Sequence, residues 1–139
     1  MKELPKTKDA LVVRVDFSDD AGWDLIRTAI RQPVGEFQAY VDFVSDLAFD
    51  GASVEDLLAL HTNISEHNFM FVVDKITLSH PDNPILVIDL IGEPGRTFRV
   101  IPSAMWGVEN NLSIANMDFA DFADHTDSDG IFRDFPEGV

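Results

Sequence analysis

Hydrophobic and polar positions along the chain change period several times, and each change marks an element. Residues 10–16 (ALVVRVD) are almost continuously apolar and rich in valine, which predicts a strand. The Phe17-Ser18-Asp19-Asp20 stretch then predicts a helix start. Ser18 is the expected N-cap, with Asp19 and Asp20 in the first turn, where carboxylates favour the positive end of the helix dipole. Trp23, Ile26 and Ile30 recur at helical spacing until Pro33 closes the helix near Gln32. Phe37, Ala39, Val41 and Phe43 alternate with Gln38, Tyr40 and Asp42, the pattern of a strand with one buried face. Asp50 and Gly51 mark a turn. Ser53 is expected to cap a second helix, with Asp56 completing a capping box and Val54, Leu57 and Leu58 on the apolar face.

The most apolar stretches are Phe69 to Asp74 and Ile85 to Ile91, separated by Pro81 to Pro84; the second reads as a central strand covered on both faces. Glu93-Pro94-Gly95-Arg96 is a tight turn into Thr97 to Ile101, so these last two strands should pair as an antiparallel hairpin. Beyond Pro102, Val108, Leu112 and Ala115 return to helical spacing, and Asp118 should cap a short helix carrying Phe119 and Phe122. The expected order is β-α-β-α-β-β-β-α-α. It implies one α/β domain (α+β being the alternative) over residues 1–139, with flexible ends at 1–8 and 136–139. Its mixed sheet should have about five strands, with helices packed on it and a helical C-terminal segment.

Charge narrows the functional classes. The 139 residues carry 25 Asp and Glu against 10 Lys and Arg, a net charge of −15, which disfavours nucleic acid and anionic membranes as partners and suits a basic protein, a cation or a neutral ligand better, solubility alone being the other reading. The absence of cysteine excludes disulfides, thiolate metal sites and cysteine catalysis. The apolar run Ala10 to Val13 is too short for a signal-peptide core or a spanning helix, so a cytoplasmic protein is expected.

No complete catalytic or cofactor motif occurs, and no cofactor is expected. The acidic stretch Asp124 to Gly130 has the look of a calcium loop. With Gly130 in the invariant glycine place, however, His125 falls at the first ligand position and Pro136 at the last, where a bidentate Glu is needed. Asp16, Asp74 and Asp89 are candidate strand-end aspartates that would converge at the carboxyl edge of a sheet, although Asp89 reads as mid-strand. The opening order is similar to that of response-regulator receiver domains, but the later lysine-bearing strand and two further helical crossovers are missing. His61, on the apolar face of the second helix, and His67 flank the polar Asn63, Ser65 and Glu66, and are candidate ligand-binding residues with Asp16, Asp74 and Arg99. Arg99 alternates within an apolar strand and must face solvent, a carboxylate or an anion. Trp106, Asn110, Asn111, Asn116, Asp121 and Asp124 form a candidate partner-binding face, amide-rich and acidic; finishing the core and bonding backbone at helix ends are the structural alternatives.

Three stretches, LPKTKDALVVRVDFSDDAGW, FVVDKITLSHPDNPILVIDL and FRVIPSAMWGVENNLSIANMDFADFAD with a following DGIFRDF, resemble a family of small bacterial proteins of unknown function, commonest among actinobacteria. The resemblance spans about residues 4–136 and implies a stand-alone bacterial cytoplasmic domain, without implying site residues. Three functions are expected in order of preference. The first is a non-catalytic protein-binding module of immunity or regulatory type. The others are a small-ligand protein or enzyme with its site at the strand ends, and a structural component of a complex.

Overall fold

A computed structural model of the chain describes residues 2–61 and 67–135. Asn63, Ser65 and Glu66, Met1, and the end from Pro136 onward lie outside the described residues.

Strand β1 (Ala10–Arg14) leads through helix α1 (Asp20–Arg31) to β2 (Val41–Val44), and then through a 3-10 turn (Leu47–Phe49) and α2 (Val54–His61) to β3 (Phe69–Val73). Both β2 and β3 pair in parallel with β1, one on each side. Crossovers that run in opposite directions across the sheet, β1 to β2 and then β2 past β1 to β3, place their helices on opposite faces when both are right-handed. Accordingly, Trp23, Ile26 and Ile30 of α1 join the core on one face with Val12, Phe71 and Val73, while Leu57 of α2 joins Val13, Met70 and Val72 on the other.

After β3 the chain reverses. Helix α3 (Lys75–Ser79) returns it to β4 (Ile85–Asp89), which runs antiparallel to β3, and β5 (Thr97–Val100) runs antiparallel to β4. Helices α4 (Met105–Ser113) and α5 (Phe119–Ala123) cover the α1 face, and β6 (Ile131–Phe132) ends the sheet beside β5, in the order β2-β1-β3-β4-β5-β6. The protein is thus α/β, a six-stranded mixed sheet between two helical layers. Among the described residues no helix is long and apolar enough to cross a membrane.

The differences from the sequence reading have local causes. The α1 cap is Asp19, whose carboxylate accepts the Gly22 N–H, because Ser18 is turned back onto Asp16. The alternating run at Phe37 begins as a loop closed by a Val34–Phe37 bridge, and β2 starts only at Val41. Helix α3 is a five-residue turn capped by Asp74 and Thr77, too short to show a period. Ala115 lies beyond α4 in a left-handed conformation (φ 55°). The acidic stretch resembling a calcium loop is a turn into β6. Asp127 Oδ1 accepts the N–H groups of Asp129 and Ile131, and Arg133 holds Oδ2.

Phe122 is buried among Phe98, Phe132 and Phe135 and is the contact through which α5 secures β5 and β6. Replacing it with alanine is expected to cost about 3–5 kcal/mol in urea unfolding. A loss below about 1 kcal/mol would show that the C-terminal elements are not part of the cooperative core.

Candidate functional site

The sheet has two chemically different edges. At the carboxyl ends of β1 and β3, every acidic or basic group singled out from the sequence has a partner inside the chain. Asp16 accepts the Ser18 N–H and hydroxyl, and those bonds hold its carboxyl below the usual range. Asp74 receives two bonds from Arg99, at 3.0 and 2.7 Å, and the Thr77 N–H; Arg99 also donates to the Pro84 carbonyl. Burial alone would raise the Asp74 pKa, but the Arg99 and Thr77 hydrogen bonds outweigh it and the net direction is down. Arg14, 5% exposed, donates to the Asp16 carbonyl and Asp20 and lies over the Phe17 ring at 4.3 Å. Arg99 has therefore taken the carboxylate option among those its pattern allowed.

The histidines do not join these aspartates. His67 precedes β3 and His61 ends α2, so both stand at the opposite edge, where β3 begins. The Nε2 of His67 donates to the Thr7 carbonyl at 3.0 Å. Asp89 is also at this edge and is not mid-strand. It is the last residue of β4, and the antiparallel pairing sets it opposite Phe69. The expected convergence of Asp16, Asp74 and Asp89 is thereby undone.

This edge holds a cleft in two adjoining parts that share Asn68 and Phe69. One, of about 490 Å³, is lined by Asp9, Tyr40, His67, Glu109 and Ser113 among others. The second, of about 400 Å³, is lined by Asp89, Ile91, Leu112, Met117 and Phe119 among others. Asn68 stands between them, its amide donating to the Leu112 carbonyl. Each part contains a buried acid. Glu109 is 4% exposed and accepts the Tyr40 N–H at 2.6 Å and the Asn110 amide through Oε1, and the Ser113 hydroxyl at 2.7 Å through Oε2. Asp89, also 4% exposed, accepts the N–H groups of Ile91, Gly92 and Glu93. All six donors are neutral, and neither acid forms an ion pair with a described residue. Buried charges are ordinarily paired with a counter-charge, because desolvation is otherwise uncompensated. These are the two buried acids among the described residues, and both border the same cleft. The described residues contain no group of acids and histidines able to hold a metal ion.

The residues expected on a partner face all bond or stack within the chain, Trp106, Asn110 and Asn111 being half-buried and Asn116, Asp121 and Asp124 exposed. Trp106 stacks on Phe37 with centroids 4.4 Å apart, and Asn110 donates to the Gln38 carbonyl, so both hold down the loop before β2. Asn111 donates to the Gly107 carbonyl and receives the Asn116 amide, closing α4. Asp121 accepts the Asp118 N–H, and Asp124 pairs with Arg96 at 2.5 Å. Sequence reasoning passed over Glu109, although its signal was present. Met105, Val108, Glu109 and Leu112 fall at i, i+3, i+4 and i+7, an acid on an otherwise apolar helical stripe.

Fold and cleft define a small three-layer α/β domain with an acidic cleft at the amino edge of its parallel strands. The chain belongs to the family described as domain of unknown function DUF6924, which matches residues 9–135 and so takes in all six strands and both buried acids. No curated protein matches it.

Two predictions separate the structural from the electrostatic roles at this edge. Glu109→Ala should cost about 1–3 kcal/mol in urea unfolding by leaving buried donors unpartnered, whereas Glu109→Gln should be within about 0.5 kcal/mol of the parent or more stable. A large loss in Glu109→Gln would mean that the charge itself supports the fold. The second concerns pH. Burial, and secondarily the charge of His67, lower the His61 pKa from its ordinary 6.5, so the folded state disfavours its protonation. The unfolded chain then binds more protons below about pH 6.5, and the His61 contribution to stability is lost as pH falls from there toward the depressed folded value. Unfolding midpoints measured between about pH 7.5 and 5.5 should fall less in His61→Gln than in the parent. Equal slopes would assign the proton uptake to other groups.

Proposed function

We propose that the protein is a non-catalytic binding module of the bacterial cytoplasm that receives a cationic group of a basic protein partner in the cleft beside Asn68. One observation carries this reading. Asp89 and Glu109 are buried, are held only by neutral donors, and border the two adjoining halves of the cleft, one in each. An arriving ammonium or guanidinium group would supply the missing counter-charge in a partly desolvated setting, where charge-assisted hydrogen bonds are strong. The net charge of −15 supports the same partner chemistry, since it would speed the approach of a basic protein. The sequence resemblance supports the bacterial setting.

Argininamide is a suitable cationic probe. Titrated into the labelled protein at low salt, it should shift the backbone amides of Asn68, Phe69 and Leu112. The response should weaken with added salt and fall about tenfold in the Asp89→Asn and Glu109→Gln variants. Shifts spread over residues 124–130 and unchanged in both variants would refute the cleft as the site and leave only diffuse attraction to an acidic surface.

A further inference from the structure

The two halves of the cleft differ in chemistry, and the difference specifies what kind of chain segment fits. The half bounded by Asp9, Tyr40, His67, Glu109 and Ser113 is polar, whereas the half behind Asp89 is walled by Leu112, Met117 and Phe119 and rimmed by Ile91, which is 64% exposed. Five acids border the pair (Asp9, Asp89, Glu93, Glu109, Asp118) against Lys8 and Arg96, and Arg96 is already tied to Glu93 and Asp124. A free small cation would use the polar half and leave Ile91 and the half-buried Met117 uncovered.

Resting on the cation-binding reading, we infer that the occupant is an extended segment of a protein partner in which a lysine or arginine and a large apolar residue stand two positions apart. In an extended chain, residues i and i+2 project to the same side about 7 Å from one another. The basic side chain then enters the polar half toward Glu109, and the apolar one crosses Asn68 and Phe69 to lie against Met117 and Ile91, above the buried Leu112 and Phe119. The acids provide the charge complementarity, and the apolar wall discriminates among basic segments. Ile91 belongs to this recognition because an exposed isoleucine at the rim extends the apolar surface available to the second side chain.

Blocked five-residue peptides test this directly: one with lysine at position two and leucine at position four between glycines, one with glutamine for the lysine, and one with glycine for the leucine, with n-hexylamine as a free-amine control. Dissociation constants come from amide shifts of the intact protein and of the Glu109→Gln and Ile91→Ser variants, the latter altering an exposed side chain. The lysine–leucine peptide is expected to bind about tenfold tighter than either relative. Glu109→Gln should erase the advantage of lysine, and Ile91→Ser should reduce the advantage of leucine about threefold. Equal binding of the glycine-for-leucine peptide would overturn the segment proposal and leave the cation reading standing. Equal binding of the glutamine-for-lysine peptide would overturn the cation reading and this inference together. Hexylamine binding as tightly as the peptide, or no saturable binding by any peptide, would likewise overturn the inference.

Discussion

The antiparallel pairing of β4 with β3 is the constraint on which the rest of the molecule depends. A parallel return needs a crossover of a dozen or more residues to bring the chain back to the starting edge. Here α3 supplies five helical residues, about 7.5 Å of rise, against a five-residue strand about 16 Å long. The chain therefore re-enters the sheet at the edge where it left. Asp74 secures that reversal by capping α3, sharing Thr77 with the Pro84 carbonyl, and gripping Arg99 on β5. Because β4 then runs backwards, its last residue, Asp89, arrives beside Phe69 at the edge where β3 begins. The reversal thus both builds the antiparallel half of the sheet and separates Asp89 from the other strand-end aspartates.

Glu109 shows the opposite relation between structure and stability. Its position on the apolar stripe of α4 forces a carboxylate into the protein, and its neighbours are arranged to satisfy it. The loop before β2 brings the Tyr40 N–H, and Asn110 and Ser113 reach it from its own helix. The same loop is pinned by Phe37 on Trp106 and by the Gln38 carbonyl on Asn110. Neutral donors compensate part of the desolvation but not the charge, and an apolar residue would fill the stripe more cheaply. A buried carboxylate on an apolar stripe that also borders open space departs from the local rules the rest of the fold obeys, as binding sites tend to do.

What was legible in the sequence follows the strength of the local signal. The valine run through Val12 and Val13, the helical spacing of Trp23, Ile26 and Ile30, the Ser53–Asp56 box and the Glu93–Arg96 turn are each strong local signals, and each formed as expected apart from the α1 cap, which passed from Ser18 to Asp19. Helix α3 and β6 were illegible because five and two residues are too few to display a period, and tertiary contacts decide them. Phe37 mimicked a strand because a stacking partner can bury an aromatic in a loop as readily as a sheet can. For the cleft, residue types were visible but their neighbours were not. His67 and Asp89 stand out by residue type, yet only strand direction brings both to the amino edge, and Glu109 looks in sequence like an ordinary helical acid.

The acidity of the chain and the acidity of the cleft are different physical quantities. Several of the conspicuous acids are ion-paired within the chain. Asp20 meets Arg14, Asp74 meets Arg99, Asp124 meets Arg96, and Asp127 meets Arg133. What remains on the surface acts at a distance and is screened within about 8–10 Å at physiological salt. Asp89 and Glu109 act over contact distances in a setting of lower dielectric, where a given charge separation is worth several times more than in water. Attraction and recognition can then vary independently. On the proposed reading, surface acids would set how often a basic partner arrives, while the two buried carboxylates and the apolar side of the cleft would set which partner stays.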